Sequence, residues 1–468
     1  MIARAPIKNR PFRAYQRDDL PKIPQLARLD PGTVLAMRAV AQVLPFRVNS
    51  YVVEELIDWD RVPDDPLFQL SFPQPDMLAP EDLRCMVELL AGDATPERIG
   101  RAARQIQQRL NPHPAGQMEL NVPYLDGRPL PGMQHKYRDT VLFFPSHGQT
   151  CHTYCTYCFR WPQFAGIDEL KFASKQAEML VAYLRQHPEV SNVLFTGGDP
   201  MVMRASVLRR YIEPLLDPSL EHITAIRIGT KAPVWWPYRF VNDPDADELL
   251  RLFGAVRDAG RHLAIMAHYS HPQELQTAVA QMALRRIQST GAIVRCQAPL
   301  IRHVNDDADT WADLWRLQVR LGAIPYYMFV ERDTGPKGYF EVPLAQCFEI
   351  FQRAYRRVSG LERTVRGPSM SATPGKVIIG GITELHGEKV FSLRFVQARD
   401  PDWVRRPFFA KFDENATWLD QLRPAFGARE FFFERRLREM TASQQSPAFG
   451  HRVVPRRKLT VFGHVEWE

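Results

Sequence analysis

Six short runs rich in β-branched and aromatic residues alternate with longer stretches of helical period. This alternation limits the fold more than any other feature. The runs lie at 140–144, 190–196, 223–229, 262–267, 292–298 and 325–330. The helical stretches lie at 174–187, 206–216, 247–259, 273–290, 307–321 and 344–358. Strand, helix and next strand form a parallel pair with a right-handed crossover. Six such units imply an α/β fold whose sheet closes, at least in part, into a (βα)6 barrel. Functional groups in such a barrel come from the C-terminal strand ends and the loops after them. Here Cys151, Gly197, Thr230, His268, Arg302 and Arg332 each follow one of the six runs.

The rest of the chain is arranged around that core. Residues 1–135 read as a helical and irregular wrapping segment, with helices at 34–44, 80–90 and 96–110. Residues 136–345 form the barrel core, and 346–400 add a helix and a β-hairpin (376–379 with 389–397) completing the active site. Residues 401–468 form a C-terminal extension with no clear period. The 38 prolines concentrate in the first 135 residues and near the C-terminus, as extended wrapping segments do. No run of eighteen apolar residues and no secretory h-region is present, so a cytoplasmic protein without a membrane span is expected. The net charge of +7 is scattered apart from groups such as Arg356-Arg357 and Arg456-Arg457-Lys458, so a solvated basic surface is expected rather than a nucleic-acid site.

Three of the six cysteines, Cys151, Cys155 and Cys158, fall within eight residues with spacing C-x3-C-x2-C. Zinc sites need four ligands and usually show a second pair downstream, and six cysteines in 468 residues are too sparse for a disulfide framework. Three soft thiolates on one loop suit a [4Fe–4S] cluster with one iron open to a non-protein ligand.

With Tyr157 before the last cysteine, this motif resembles the signature of the radical S-adenosylmethionine superfamily. The resemblance implies a partial (βα)6 radical-SAM barrel with an N-terminal helical segment and a C-terminal extension. It also implies that the open iron holds S-adenosylmethionine, whose reductive cleavage gives a 5′-deoxyadenosyl radical that abstracts a substrate hydrogen. Tyr157 would pack near the adenine. Gly197-Gly198-Asp199 reads by itself as a tight strand–helix turn, and is similar to the superfamily's Gly-Gly-Glu motif, which holds the methionyl amino group. Thr230, His268 and Gln297 would be further S-adenosylmethionine contacts.

From about Asp64 to about Gly381 the chain resembles the lysine 2,3-aminomutases. The matching segments are Asp64-Asp65-Pro66-Leu67, residues 131–137, Arg227-Ile228-Gly229-Thr230, residues 268–274, Gln297, Val304-Asn305-Asp306 and Tyr326-Tyr327. That family also carries pyridoxal 5′-phosphate as a Schiff base on lysine. Tyr137 falls on the residue that stacks near the pyridine ring, with Lys136 as a basic neighbour, but Thr140 falls on the phosphate-binding arginine. Two readings of Lys376 stand: the Schiff-base lysine after a shortened glycine run, or a surface lysine opening the strand after it.

Arg160 matches the arginine that binds the substrate α-carboxylate, which suits a planar fork. The family's aspartates for the distal ammonium of lysine fall on Arg332 and about Ala372. Arg332 either faces a substrate with a negative or polar distal end, or pairs with Glu331 or Asp333. The expectation is a radical isomerase performing a 2,3-amino shift on an amino acid other than lysine. Its partners would be the small-molecule substrate, a reductant such as flavodoxin or ferredoxin, and further copies of itself. The competing class is an enzyme without pyridoxal phosphate, or one that modifies a macromolecule. Trp235-Trp236, Cys85, Cys296, Cys347 and His135 read as structural.

Overall fold

A computed structural model describes residue 7 and residues 10–111, 121–166 and 172–444. Its centre is one sheet of eleven strands: β1 (Met133–Tyr137), β2 (Thr140–Phe143), β3 (Asn192–Phe195), β4 (Ala225–Thr230), β5 (His262–His268), β6 (Ile293–Leu300), β7 (Ile324–Val330), β8 (Arg366–Ser371), β9 (Gly375–Leu385), β10 (Glu388–Ala398) and β11 (Pro407–Lys411). Neighbours in the sheet are neighbours in sequence throughout. Strands β2 to β8 are parallel, each joined to the next by a helix. Strand β1 closes one edge antiparallel, and β9, β10 and β11 extend the other. This is the partial (βα)6 barrel of the sequence reading with one strand more.

The six expected strands appear within a few residues of their sequence positions. The seventh parallel strand, β8, was not expected, because Gly367-Pro368 breaks its apolar pattern. The expected hairpin is longer than 376–379 with 389–397 and is built into the main sheet. Residues 401–468 show no clear period in the sequence. Yet β11 pairs with β10, and Phe431, Phe432 and Phe433 pack on Phe408. The Arg456-Arg457-Lys458 group lies outside the described residues.

Alternation along each parallel strand sorts side chains onto two faces. Val193, Phe195, Ile226, Ile228, Ile265 and Val294 are buried under the helices. Between them Asn192, Leu194, Arg227, Gly229, Arg295 and Gln297 are only partly buried, on the opposite face. That face is the barrel lumen. No described helix is long and apolar enough to cross a membrane.

The cysteine loop after β2 has almost no secondary structure, so its backbone groups need partners elsewhere. The N-terminal segment supplies them. Tyr154 N–H donates to Arg47 O at 2.9 Å and Thr156 N–H to Leu70 O at 3.0 Å. Buried Asn49 donates from Nδ2 to Trp235 O at 2.7 Å and to Thr153 Oγ1 at 3.0 Å. Its Oδ1 accepts from the Tyr51 and Val52 amides. One side chain thereby joins the N-terminal segment, the cysteine loop and the loop after β4.

Candidate active site

All three motif cysteines are free thiols of intermediate exposure. Burial nonetheless raises their pKa values, that of Cys158 to about 12. They also feel one another: Cys155 and Cys158 raise Cys151, and Cys155 raises Cys158. Among the described residues no three His, Cys, Asp or Glu converge on a single ion. A cubane sets each thiolate on its own iron, and the donor set of three thiols on one loop fits a [4Fe–4S] cluster.

Sequence reasoning missed the residues behind this loop. Trp235 Nε1 donates to Cys155 Sγ at 3.3 Å. Lys231 Nζ lies 4.7 Å from the Trp235 ring centroid and pairs with buried Glu274 at 2.7 Å. Glu274 Oε2 accepts from Ser270 N–H at 2.5 Å, which shapes the loop after β5. Trp235 is buried, in keeping with its reading as structural, but its indole N–H also holds the Cys155 thiol. No spacing rule in the sequence signals that contact.

The Gly197-Gly198-Asp199 turn packs on the cysteine loop. Gly197 has φ +141°, and a Cβ on Gly198 would stand 2.5 Å from Thr150 O. Asp199 N–H donates to Thr150 O at 2.8 Å. The close approach these glycines allow is made to the chain's own loop. The Asp199 carboxylate is buried and engaged, accepting from Thr230 Oγ1 at 2.6 Å, the Lys231 amide at 2.9 Å and the Met201 amide at 2.9 Å. Burial lifts its pKa to about 6 against those bonds. Asp199 and Thr230 thus lock the ends of β3 and β4 together. On the next two strands, His268 Nε2 lies 2.9 Å from Gln297 Nε2. Burial, with Lys231 and Arg160 near, pushes His268 down to about 3, so the ring is neutral. Tyr157 is buried beside Cys155, its ring centroid 6.3 Å from that of Phe340.

Two arginines flank Phe159. The Arg160 guanidinium lies 5.1 Å from its ring centroid and 4.4 Å from that of Phe144. The Arg332 guanidinium lies 5.0 Å from the Phe159 centroid. Burial lowers Arg160 to about 10, with Arg332 adding repulsion. Arg332 Nη1 donates to Ser371 O at 2.9 Å, while its buried Nε has no partner. Burial lowers Arg332, while the neighbouring Asp333 and Glu331 favour its charge.

Lys376 stands on β9 with its Nζ 4.7 Å from the Tyr327 ring centroid and 5.9 Å from that of Phe329. It is not a surface lysine. Burial, then Arg227 and Arg366, lower its pKa to about 7. No described residue offers it a hydrogen bond or an ion pair. A half-buried amine near neutrality, with no described hydrogen-bond or ion-pair partner, is the form that attacks an aldehyde, so the site fits a lysine-bound pyridoxal phosphate. Lys136 donates to Ala372 O at 2.5 Å and is held well below its usual range by burial and by Arg399, Arg332 and Lys376. Tyr137 is half-buried near Tyr327, Arg399 and Arg332. These mutual influences trace one row of groups from Cys158 through Arg160, Arg332 and Lys136 to Lys376.

No family model matches the chain. A protein of Aquifex aeolicus (strain VF5), provisionally named an L-lysine 2,3-aminomutase, is 31% identical over 384 residues, covering 82% of this chain and 89% of that protein. The L-lysine 2,3-aminomutase of Bacillus subtilis (strain 168) is 29% identical, and the match spans 50% of this chain and 46% of that protein. That of Clostridium subterminale is 27% identical over 50% of this chain and 52% of its own length. Among solved structures, a radical SAM methyltransferase from Sphaerobacter thermophilus aligns with TM-score 0.35 at 18% identity, over 50% of this chain and 68% of that chain. With one relative matched over nearly its whole length, and with the cysteine loop at the head of a partial barrel, the chain belongs to the lysine 2,3-aminomutase family of radical S-adenosylmethionine enzymes.

Proposed function

We propose that this enzyme performs a 2,3-amino shift on an amino acid whose distal end is anionic or hydrogen-bond accepting, with pyridoxal 5′-phosphate held by Lys376. The observation that carries the reading is Lys376 itself: half-buried, without a described hydrogen-bond or ion-pair partner, lowered to about 7 and set over the Tyr327 ring. A lysine without a partner in a desolvated site is costly unless its neutral form is used. When bound, the cluster and S-adenosylmethionine supply the hydrogen-abstracting radical, and pyridoxal phosphate carries the migrating nitrogen.

The chain's own residues do the rest. Cys151, Cys155 and Cys158 hold the cluster, and Trp235 donates to one of its thiolates. Gly197, Gly198, Asp199 and Thr230 fix the loop on which that cluster and S-adenosylmethionine sit, with His268 and Gln297 beside them. Tyr137 packs against the cofactor ring. Arg160 takes the substrate α-carboxylate as a planar fork. Arg332 offers its free Nε to the distal end, so a lysine side chain meets a like charge there. Like-charge placement of this kind discriminates against a ligand as well as selecting one.

Anaerobic, iron-reconstituted protein with a reductant, S-adenosylmethionine and pyridoxal phosphate should convert a dicarboxylic α-amino acid such as glutamate to its β-isomer, forming 5′-deoxyadenosine. Lysine should not be converted. Conversion of lysine at a comparable rate, or 5′-deoxyadenosine without any β-amino product from a panel of amino acids, contradicts the reading.

A further inference from the structure

The N-terminal mouth of the barrel, opposite the cysteine loop, holds a group of arginines that the proposed chemistry does not use. Thr140 stands where the family resemblance expects a phosphate-binding arginine. Its Oγ1 donates to Asn192 Oδ1 at 3.1 Å. Arg227 Nη1 donates to the same oxygen, also at 3.1 Å. The Arg227 guanidinium nitrogen and the Thr140 hydroxyl are therefore no more than about 6 Å apart. A charge absent from one strand is supplied from two strands away.

Two more arginines surround the same space. Arg295 and Arg366 lie 5.2 Å and 5.1 Å from the Tyr326 ring centroid. Arg366 also lies 5.6 Å from the Tyr327 centroid and donates from Nη1 to the Tyr327 hydroxyl at 3.3 Å. Lys376 Nζ sits over that same Tyr327 ring at 4.7 Å. Four cations thus gather around two tyrosines, and none of the four has a described carboxylate within salt-bridge distance. The nearby carboxylate, Asp139, accepts from Thr140 Oγ1 at 2.9 Å. Arg227 and Arg295 share the lumen face with Gly229 and Gln297, and Arg366 is exposed at the rim. Burial and the neighbouring Arg295 both lower Arg227. Such repulsion is relieved by a bound anion, and guanidinium forks match the geometry of a phosphate.

We infer that Arg227, Arg366 and Arg295 form a phosphate-monoester subsite that anchors pyridoxal 5′-phosphate while its aldehyde carbon reaches Lys376. The inference rests on the reading of Lys376 as the cofactor-bearing lysine. It assigns the anchoring charge to β4, β6 and β8 in place of β2, where Thr140 stands.

The test compares pyridoxal 5′-phosphate with pyridoxal, which has the same aldehyde and no phosphate. Full-length protein is titrated with each, and the absorbance of the lysine-bound form gives an affinity. Wild type should prefer the phosphate ester by tenfold or more, the scale of charge-assisted hydrogen bonds. Arg227→Gln and Arg366→Gln should each lower that preference several-fold; each also removes a cation that lowers Lys376, which affects both aldehydes alike and cancels in the ratio. Arg227→Lys should retain part of it. Measurable pyridoxal binding serves as the internal control for folding, because it needs an intact Lys376 site and no phosphate contact. Equal wild-type affinity for the two aldehydes, or full preference in both Gln variants, overturns the subsite while leaving Lys376 intact. Failure of wild type to bind either aldehyde overturns the underlying reading, and the subsite with it.

Discussion

Replacing Lys376 by Met gives the most direct thermodynamic check on the buried amine. The substitution keeps the length of the side chain and removes its charge. In the wild type, burial and the cations Arg227 and Arg366 lower this lysine from its usual value to about 7. Each tenfold change in a protonation equilibrium is about 1.4 kcal/mol, so holding a neutral lysine at pH 7 costs up to about 5 kcal/mol. Lys376 keeps intermediate exposure, which reduces that figure, and about 2–3 kcal/mol is the expected gain in Lys376→Met. The sign of the pH dependence follows from linkage. The folded-state pKa lies below the unfolded one, so between about pH 7 and pH 10 the unfolded chain binds more protons. Wild-type stability from this group therefore rises with pH across that window, and the advantage of Lys376→Met shrinks. Urea denaturation of cofactor-free protein at both ends of the window measures it. A Lys376→Met protein less stable than wild type at pH 7, or a difference that does not change with pH, refutes the reasoning.

Three further outcomes test the frame around the site. Trp235→Phe removes the N–H donated to Cys155 Sγ, so the midpoint potential of the cluster in a redox titration followed by electron paramagnetic resonance should move to a more negative value; an unchanged potential removes Trp235 from that role. Gly198→Ala drives a Cβ into the Thr150 backbone, costing about 1–3 kcal/mol and lowering the iron content of reconstituted protein, whereas wild-type iron content would show that the two loops move independently. Glu274→Gln leaves buried Lys231 without its counter-charge and should cost about 3–5 kcal/mol in denaturant unfolding. The double variant with Lys231→Met should recover much of it, and no recovery would mean that the pair is not coupled.

The parallel core was legible because β2 to β7 are buried on their helix-facing side and separated by helices of ordinary length, so periodicity alone located them within a few residues. Strand β8 was not, since its Gly367-Pro368 reads as a turn while tertiary pairing with β7 makes it a strand. The cysteine loop was legible from spacing, because three thiolates at those intervals have few other uses. Its supports were not. Asn49 lies more than a hundred residues before Thr153, and Trp235 eighty after Cys155, and a single asparagine or tryptophan carries no local pattern. The Gly197-Gly198 turn was found as a ligand loop, yet the contact its missing side chains permit is with Thr150. At Thr140 the sequence showed a charge missing from its expected place. The register sets Thr140 beside Asn192 and Ala225, and only the side-chain bonds to Asn192 bring Arg227 near it.

The central claim is that this barrel carries a pyridoxal phosphate on Lys376 within reach of the cluster loop. Borohydride reduction of the protein in the presence of pyridoxal 5′-phosphate makes such a link permanent, and peptide mass spectrometry then locates it. The account predicts a stoichiometric phosphopyridoxyl adduct on Lys376 and none on Lys136 or Lys231. An unmodified Lys376, or an adduct spread over surface lysines, would contradict it.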